Sequence, residues 1–280
     1  MPDRIIGTWA SGKRHLGAAL EALQHHEFTA AQIMITRPGT RALIEVEDLP
    51  ILQAMAREMR VFVHAPYVDT LFPPLVQHGQ RMGWFRRLGR EVETIGAGLI
   101  LHMGDPAEYL DTAHQAAAQL LDVIPETVPV YIENAGVTLR DMVRIVGALK
   151  HTRPNLWVCL DTAQAWSLGW GALAEEEDPA HRDKAFRLLQ PYVGLLHLNN
   201  TYAVFGSRES GDYFPLFSGN IAIEQFAGLL RAFPQVPVVL ERSNHLQSVV
   251  DRQAVLAIDR GQTETLAALR DSPVMGALST

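Results

Sequence analysis

Cysteine is all but missing from this chain of 280 residues: Cys159 stands alone, so an internal disulfide is excluded and a reducing compartment is the simplest expectation. No apolar run reaches the length that a bilayer-spanning helix needs. The opening MPDRIIGTWA lacks the basic segment and apolar core of a secretory signal, so a cytoplasmic location is expected. Acidic residues outnumber basic ones 31 to 24, for a net charge of −7, which argues against a surface that grips nucleic acid as a whole. That balance leaves room for a local basic or metal-lined cleft. No domain-scale linker, low-complexity tract or obligate protein partner is evident, and no glycine-rich phosphate loop follows the first apolar run. What is present is a hydrophobic share of 48%, enough for a sizeable core.

Short β-rich runs alternate with longer helical patterns. The strand candidates are Arg4–Thr8, Ala31–Thr36, Val61–His64, Leu99–His102, Val128–Glu133, Leu156–Asp161, Val193–Leu198 and Val236–Glu241. Several are apolar at nearly every position, the mark of parallel strands covered on both faces. Amphipathic segments near His15–Gln24, Pro50–Met59, Gln77–Ile95, Tyr109–Val123, Leu139–Lys150, Ala180–Gln190, Ile221–Ala232 and Ser248–Arg270 fall between and after them. Eight strands each followed by a helix predict an α/β fold, a (β/α)8 TIM barrel forming a single domain over residues 1–280, with a C-terminal helix end and tail at 262–280. A doubly wound open sheet is the alternative, lowered by the lack of a phosphate loop after the first strand. The acidic run Glu175–Asp178 reads as a solvated helix start, favoured by the helix dipole.

In a barrel, chemistry sits at the C-terminal strand ends. Six consecutive expected strands end in, or close to, His64, His102, Glu133, Asp161, His197 and Glu241. Each alone has a plain explanation, a loop histidine or a helix cap. Together they form the donor set that binds zinc, manganese or iron. Six donors exceed what one zinc ion takes, and they suit two ions about 3.5–4 Å apart with one carboxylate shared. From strand order, Glu133 is expected to bridge, His64 and His102 to complete one ion, and Asp161, His197 and Glu241 the second. Two such ions would hold a hydroxide at neutral pH and neutralise charge building on a phosphoryl or enediolate oxygen.

The motifs HAPY (64–67), LHMGDP (101–106), IENAG (132–136), CLDTAQAW (159–166), HLNN (197–200) and LER (240–242) occur in an order that resembles endonuclease IV, within the xylose isomerase-like barrel superfamily. The resemblance runs from Ile6-Gly7 to Glu241. It implies a DNA-repair enzyme that cleaves the phosphodiester at abasic sites with a trinuclear zinc centre. It also implies that His64, His102 and Glu133 hold one zinc and that Glu133, Asp161, His197 and Glu241 hold another. Tyr67 falls at the position of a tyrosine that the family inserts into DNA. The sequence departs from the pattern at the third zinc site. Gln164 stands where the family has a histidine, Asp212-Tyr213-Phe214 replaces its Asp-x-His, and Gly7-Thr8-Trp9 replaces its Gly-x-His.

Two functions follow. The first is a metal-dependent phosphodiester hydrolase acting on abasic-site DNA or a related phosphoester. It would use two divalent ions, zinc foremost, with manganese, iron or magnesium as alternatives; Glu133 and Glu241 are its expected catalytic carboxylates. The second is a divalent-metal-dependent sugar isomerase or epimerase of the same superfamily, with Glu133 and Glu241 moving protons. Tyr67, Gln164, Asp212, Phe214 and Trp166 are the expected substrate contacts in either case. The loop 199–220 adds Tyr202, Phe205, Tyr213 and Phe217, with Gly206, Gly211 and Gly219 as hinges. Arg37 and Arg41 are placed to meet phosphate or water. Arg86, Arg87 and Arg90 read as surface charge, and Cys159 as a buried filler.

Overall fold

A computed structural model of the chain describes residues 3–10, 16–34, 49–74, 77–173, 179–209, 212–242 and 245–271. Of the sequence readings, His15, Thr36, Arg37, Arg41, Glu175–Asp178, Gly211 and the tail 272–280 lie outside the described residues. The strands are β1 (Ile6–Trp9), β2 (Ala30–Ile33), β3 (Arg60–His64), β4 (Thr70–Phe72), β5 (Gly98–Gly104), β6 (Val130–Glu133), β7 (Leu156–Asp161), β8 (Val193–His197) and β9 (Val238–Leu240). The helices are α1 (Leu16–His25), α2 (Leu49–Met55), α3 (His78–Ile95), α4 (Ala113–Asp122), α5 (Leu139–Lys150), α6 (Thr162–Ser167), α7 (Pro179–Leu189), α8 (Ile223–Ala232), α9 (His245–Asp259) and α10 (Thr263–Arg270). The chain divides into two compact units, one made of residues 10–159 and the other of residues 1–9 with 160–280.

In the first unit β2, β3, β5 and β6 run parallel in that order, and the Leu156–Cys159 part of β7 continues the series. Neighbouring pairs put His64 beside Ile100 and His102 beside Glu133. Strands β2 and β6 are buried at every position, the polar Gln32 and Glu133 included, as expected of parallel strands covered on both faces. Helix α5 shows how the outer layer is seated. Thr138 Oγ1 caps it by accepting from Asp141 N at 3.2 Å, and Met142, Ile145, Val146 and Leu149 form a buried stripe at helical spacing. Each such aliphatic residue contributes about 1.5–3 kcal/mol by leaving water.

In the second unit β9 lies between β1 and β8, all parallel, with Thr8 beside Leu240 and His197 beside Val239. Phe226 and Leu229 of α8 and Ala254 and Val255 of α9 are buried in this unit, as are Leu196 and Val239.

Four elements differ from the sequence reading. The short strand β4, paired with β5, lies between the third and fourth expected strands. The Tyr109–Val123 segment starts as a 3-10 helix over Pro106–Thr112 and becomes α-helical only from Ala113. The segment 248–270 is broken into α9 and α10 at Gly261, whose φ of 67° no continuous helix accommodates. A fourth element, the six-residue α6, starts directly from the cap that Asp161 provides.

Candidate metal centre

The first unit gathers His64 at the end of β3, His102 within β5 and Glu133 at the end of β6. One ligand atom from each lies within 4.8 Å of the others. His64 Nδ1 sits 2.6 Å from the Ala65 carbonyl oxygen, which can only accept, so Nδ1 carries the proton. A neutral His64 therefore turns the bare lone pair of Nε2 toward Glu133 Oε2 at 3.0 Å. His102 Nε2 approaches the same oxygen at 3.3 Å, its ring edge-on to His64 with centroids 5.1 Å apart. His64 and Glu133 are each only 1% exposed. Two imidazole nitrogens converging on one buried carboxylate oxygen bring together donor types that fit a divalent metal. Tyr67 is 56% exposed and packs over both rings, with centroids 5.4 Å from His64 and 5.0 Å from His102.

The second unit gathers Asp161 at the end of β7, His197 at the end of β8 and Glu241 just past β9, again within 4.8 Å. His197 Nδ1 lies 3.4 Å from Glu241 Oε2. Asp161 divides its oxygens: Oδ1 caps α6 by accepting from Gln164 N at 2.7 Å, and Oδ2 accepts from the amide of Asn199. The cap reading of this aspartate thus holds for one oxygen. The same Asn199 amide donates to Glu241 Oε2 at 2.9 Å, and Asn199 Oδ1 accepts from Arg242 Nη1 at 2.6 Å. Arg242 is held in turn by Asp251 Oδ2 at 2.9 Å and by the Leu198 carbonyl at 2.8 Å. Burial pushes the Asp251 carboxyl up from its ordinary pKa, against the pull of the Arg242 guanidinium and of hydrogen bonds from Leu216 N and Arg242.

The sequence model of the xylose isomerase-like TIM barrel matches residues 20–270. The chain belongs to the xylose isomerase-like TIM barrel family. Its fold class is accordingly the (β/α)8 TIM barrel that the sequence reading expects. No curated protein matches it in sequence. Among solved structures, endonuclease IV from Thermus thermophilus superposes with a TM-score of 0.73 at 18% identity, covering 92% of this chain and all of that one. The 3-keto-D-glucoside 4-epimerase of E. coli gives 0.59 at 15% identity, over 96% of this chain and 100% of the epimerase. The IolI protein, solved with a bound zinc atom, gives 0.64 at 13% identity, over 95% of this chain and 99% of its own. These are likenesses of fold, and they span a nuclease and an epimerase.

The remaining expected contacts of this xylose isomerase-like TIM barrel chain fall in the second unit. Gln164 Nε2 donates to Tyr213 Oη at 3.4 Å, a long bond. Phe214 is tied through its backbone to Asn200, in an antiparallel bridge of 3.0 and 2.9 Å, and its ring meets Tyr202 at 4.5 Å. Asp212 is exposed. Trp166 is buried, spends its indole N–H on the Ala203 carbonyl at 2.9 Å, and packs edge-on against Phe205. Cys159 is buried, as a core filler should be. Sequence reading missed Asn199, Arg242 and Asp251. The first two lie inside the motifs HLNN and LER, and the signal available was an arginine directly after a strand-end glutamate.

Proposed function

We propose that this chain is a divalent-metal-dependent phosphodiester hydrolase resembling endonuclease IV, acting on abasic-site DNA or a related phosphoester in the cytoplasm. His64, His102 and Glu133 would hold one ion, and Asp161, His197 and Glu241 a second. Glu133 would serve both, a reading that family membership supports, since a (β/α)8 barrel brings its strand ends to one mouth. Bound there, divalent cations supply Lewis acidity, which acidifies water at neutral pH and offsets charge growing on a phosphoryl oxygen. The chain's own residues do the rest. The Ala65 carbonyl fixes the His64 tautomer, as a hydrogen-bond partner of a metal-binding imidazole does. Tyr67 offers an exposed aromatic face beside that group, suited to stacking on a base or sugar. Glu133 and Glu241 are the proposed catalytic carboxylates.

The observation that carries this reading is the convergence of both Nε2 atoms on Glu133 Oε2. An isomerase holding one ion on Glu133, Asp161, His197 and Glu241 leaves this histidine pair without a task. A specific observation favours that second reading all the same. Gln164 bonds Tyr213, and the Phe214 backbone is bridged to Asn200, where the endonuclease IV resemblance calls for imidazoles. A divalent-metal-dependent sugar isomerase or epimerase is therefore the alternative. One experiment separates the two: metal content is measured by mass spectrometry, and the same sample is offered abasic-site duplex and a panel of ketoses. Two ions and duplex nicking are expected, with His102→Ala losing an ion and on the order of 100-fold in rate, the scale of removing one transition-state-stabilising group. One ion, ketose turnover and indifference to His102→Ala would replace the hydrolase with the isomerase.

A further inference from the structure

The second group of donors is held by an arrangement that none of its three members explains. Asn199 has a single side-chain NH2, and it points both hydrogens at anions, one at Asp161 Oδ2 and one at Glu241 Oε2. An amide can present either its NH2 or its oxygen to a neighbour, so something must select the donor end. Arg242 does this. Its Nη1 donates to Asn199 Oδ1 at 2.6 Å, and a guanidinium has no acceptor, so the reversed amide would set NH2 against N–H.

Arg242 is itself held in place by its own partners. It is 3% exposed, with Nε on Asp251 Oδ2 and Nη2 on the Leu198 carbonyl. Asp251 accepts in addition from Leu216 N at 3.1 Å. The backbone of Asn199 is fixed as well: its N–H donates to Thr162 Oγ1 at 2.8 Å, and the Thr162 hydroxyl donates to its carbonyl at 2.6 Å.

We infer that Asn199 is a positioning residue for the Asp161, His197 and Glu241 group, with its amide oriented by the buried Arg242–Asp251 pair so that two carboxylates are held together by a neutral donor. This rests on the metal-centre reading proposed above. A guanidinium placed directly on Asp161 and Glu241 would satisfy the same oxygens, but its charge would compete with any cation. Here Asp251 offsets that charge at the far side, and a neutral amide relays geometry without it. Each carboxylate also keeps lone pairs beyond those the amide occupies. The Arg242–Asp251 pair thus has a purpose other than stability, for which a buried ion pair is weak evidence.

The test uses the full chain carrying His102→Ala, stripped with a chelator and titrated with Zn2+ against a chromophoric competitor, so that the Asp161, His197 and Glu241 group is read alone. Adding Asn199→Ala is expected to weaken this binding about 10- to 100-fold, the usual effect of removing a partner of a metal ligand. The cobalt-loaded visible spectrum should change in intensity too, while the far-UV spectrum of the metal-free chain stays the same. Equal zinc affinity and an equal cobalt spectrum with and without Asn199→Ala overturn the inference alone. A parent chain that takes up no zinc overturns the metal reading and this inference with it. Should Asn199→Ala not fold, Arg242→Lys carries the test. It keeps the charge and loses the fork that selects the amide's donor end, so about a 10-fold loss is expected; unchanged affinity again overturns the inference.

Discussion

Tyr131 shows what burial does to one titratable side chain. Its ring meets Phe62 edge-on at 5.5 Å and lies against Gly98, where an added Cβ would come within 2.7 Å of the ring. Only glycine at 98 admits the tyrosine. Burial pushes the phenol pKa above 10.0, with Arg60 pulling it down and Cys159 adding a further push upward. The folded state therefore favours the neutral phenol. This contribution is fully present below the unfolded value of 10.0 and is lost as pH rises through the higher folded value. Tyr131→Phe keeps the ring and deletes the proton, so the fall in melting temperature above about pH 10 should become shallower than in the parent. Thermal melts across that range decide it, and identical slopes would mean that other groups govern alkaline unfolding. The candidate site divides by the same logic of what a side chain announces. His64, His102, Glu133, Asp161, His197 and Glu241 were legible because ligand-type residues recur at strand ends. Asn199 and Arg242 were not, because an amide and a guanidinium bind no metal themselves and acquire a role only when folding brings them together with Asp161, Glu241 and Asp251.

At the scale of elements, two buried arginines serve as splints. Arg153 donates to the carbonyls of Leu121, Ile124, Pro125 and Val128 at 2.7–3.1 Å, closing the end of α4 and the approach to β6. Helix ends leave carbonyls that need donors, and one planar fork supplies several at once. Desolvation by burial, the largest influence, pulls the Arg153 pKa down, while Glu126 and Asp122 oppose that shift. Arg4 does a parallel service in the other unit for Leu230, Phe233 and Val236, and pairs with Asp259. A lysine at 153 reaches only part of this set, so Arg153→Lys should cost about 2–4 kcal/mol from carbonyls left without donors. A lower urea midpoint at unchanged slope is the expected readout, and an unmoved midpoint would show that water replaces the splint. The long elements were legible because their periodicity was complete: α5 is Leu139–Lys150 as the pattern predicts. The misses have local causes. Strand β4 has three residues before Pro73 and Pro74, too few for a period. The break between α9 and α10 hides in a spacing of apolar residues that carries on past Gly261.

At the scale of the whole molecule, the question is what a cation would do to stability. No helix among the described residues is long and apolar enough to cross a membrane. The net charge of −7 includes carboxylates that are buried rather than solvated: Glu133 is 1% exposed and Asp161 not at all. Buried carboxylates are costly without a counter-charge, and an ion that binds only the folded chain returns that cost as stability. Free metal at about 100 times its dissociation constant stabilises by about 2.7 kcal/mol per site. For a chain of this length that raises the melting temperature by roughly 5–10 °C. Removing metal with a chelator should reverse the shift, and readdition of Zn2+ should restore it. The loaded chain should also melt in one transition, since residues 1–280 are proposed to form a single domain. Calorimetry with and without chelator reads both. A melting temperature indifferent to chelation would remove the cation from the buried carboxylates, and two separated transitions would make the unit of residues 10–159 and the unit of residues 1–9 with 160–280 independent in folding.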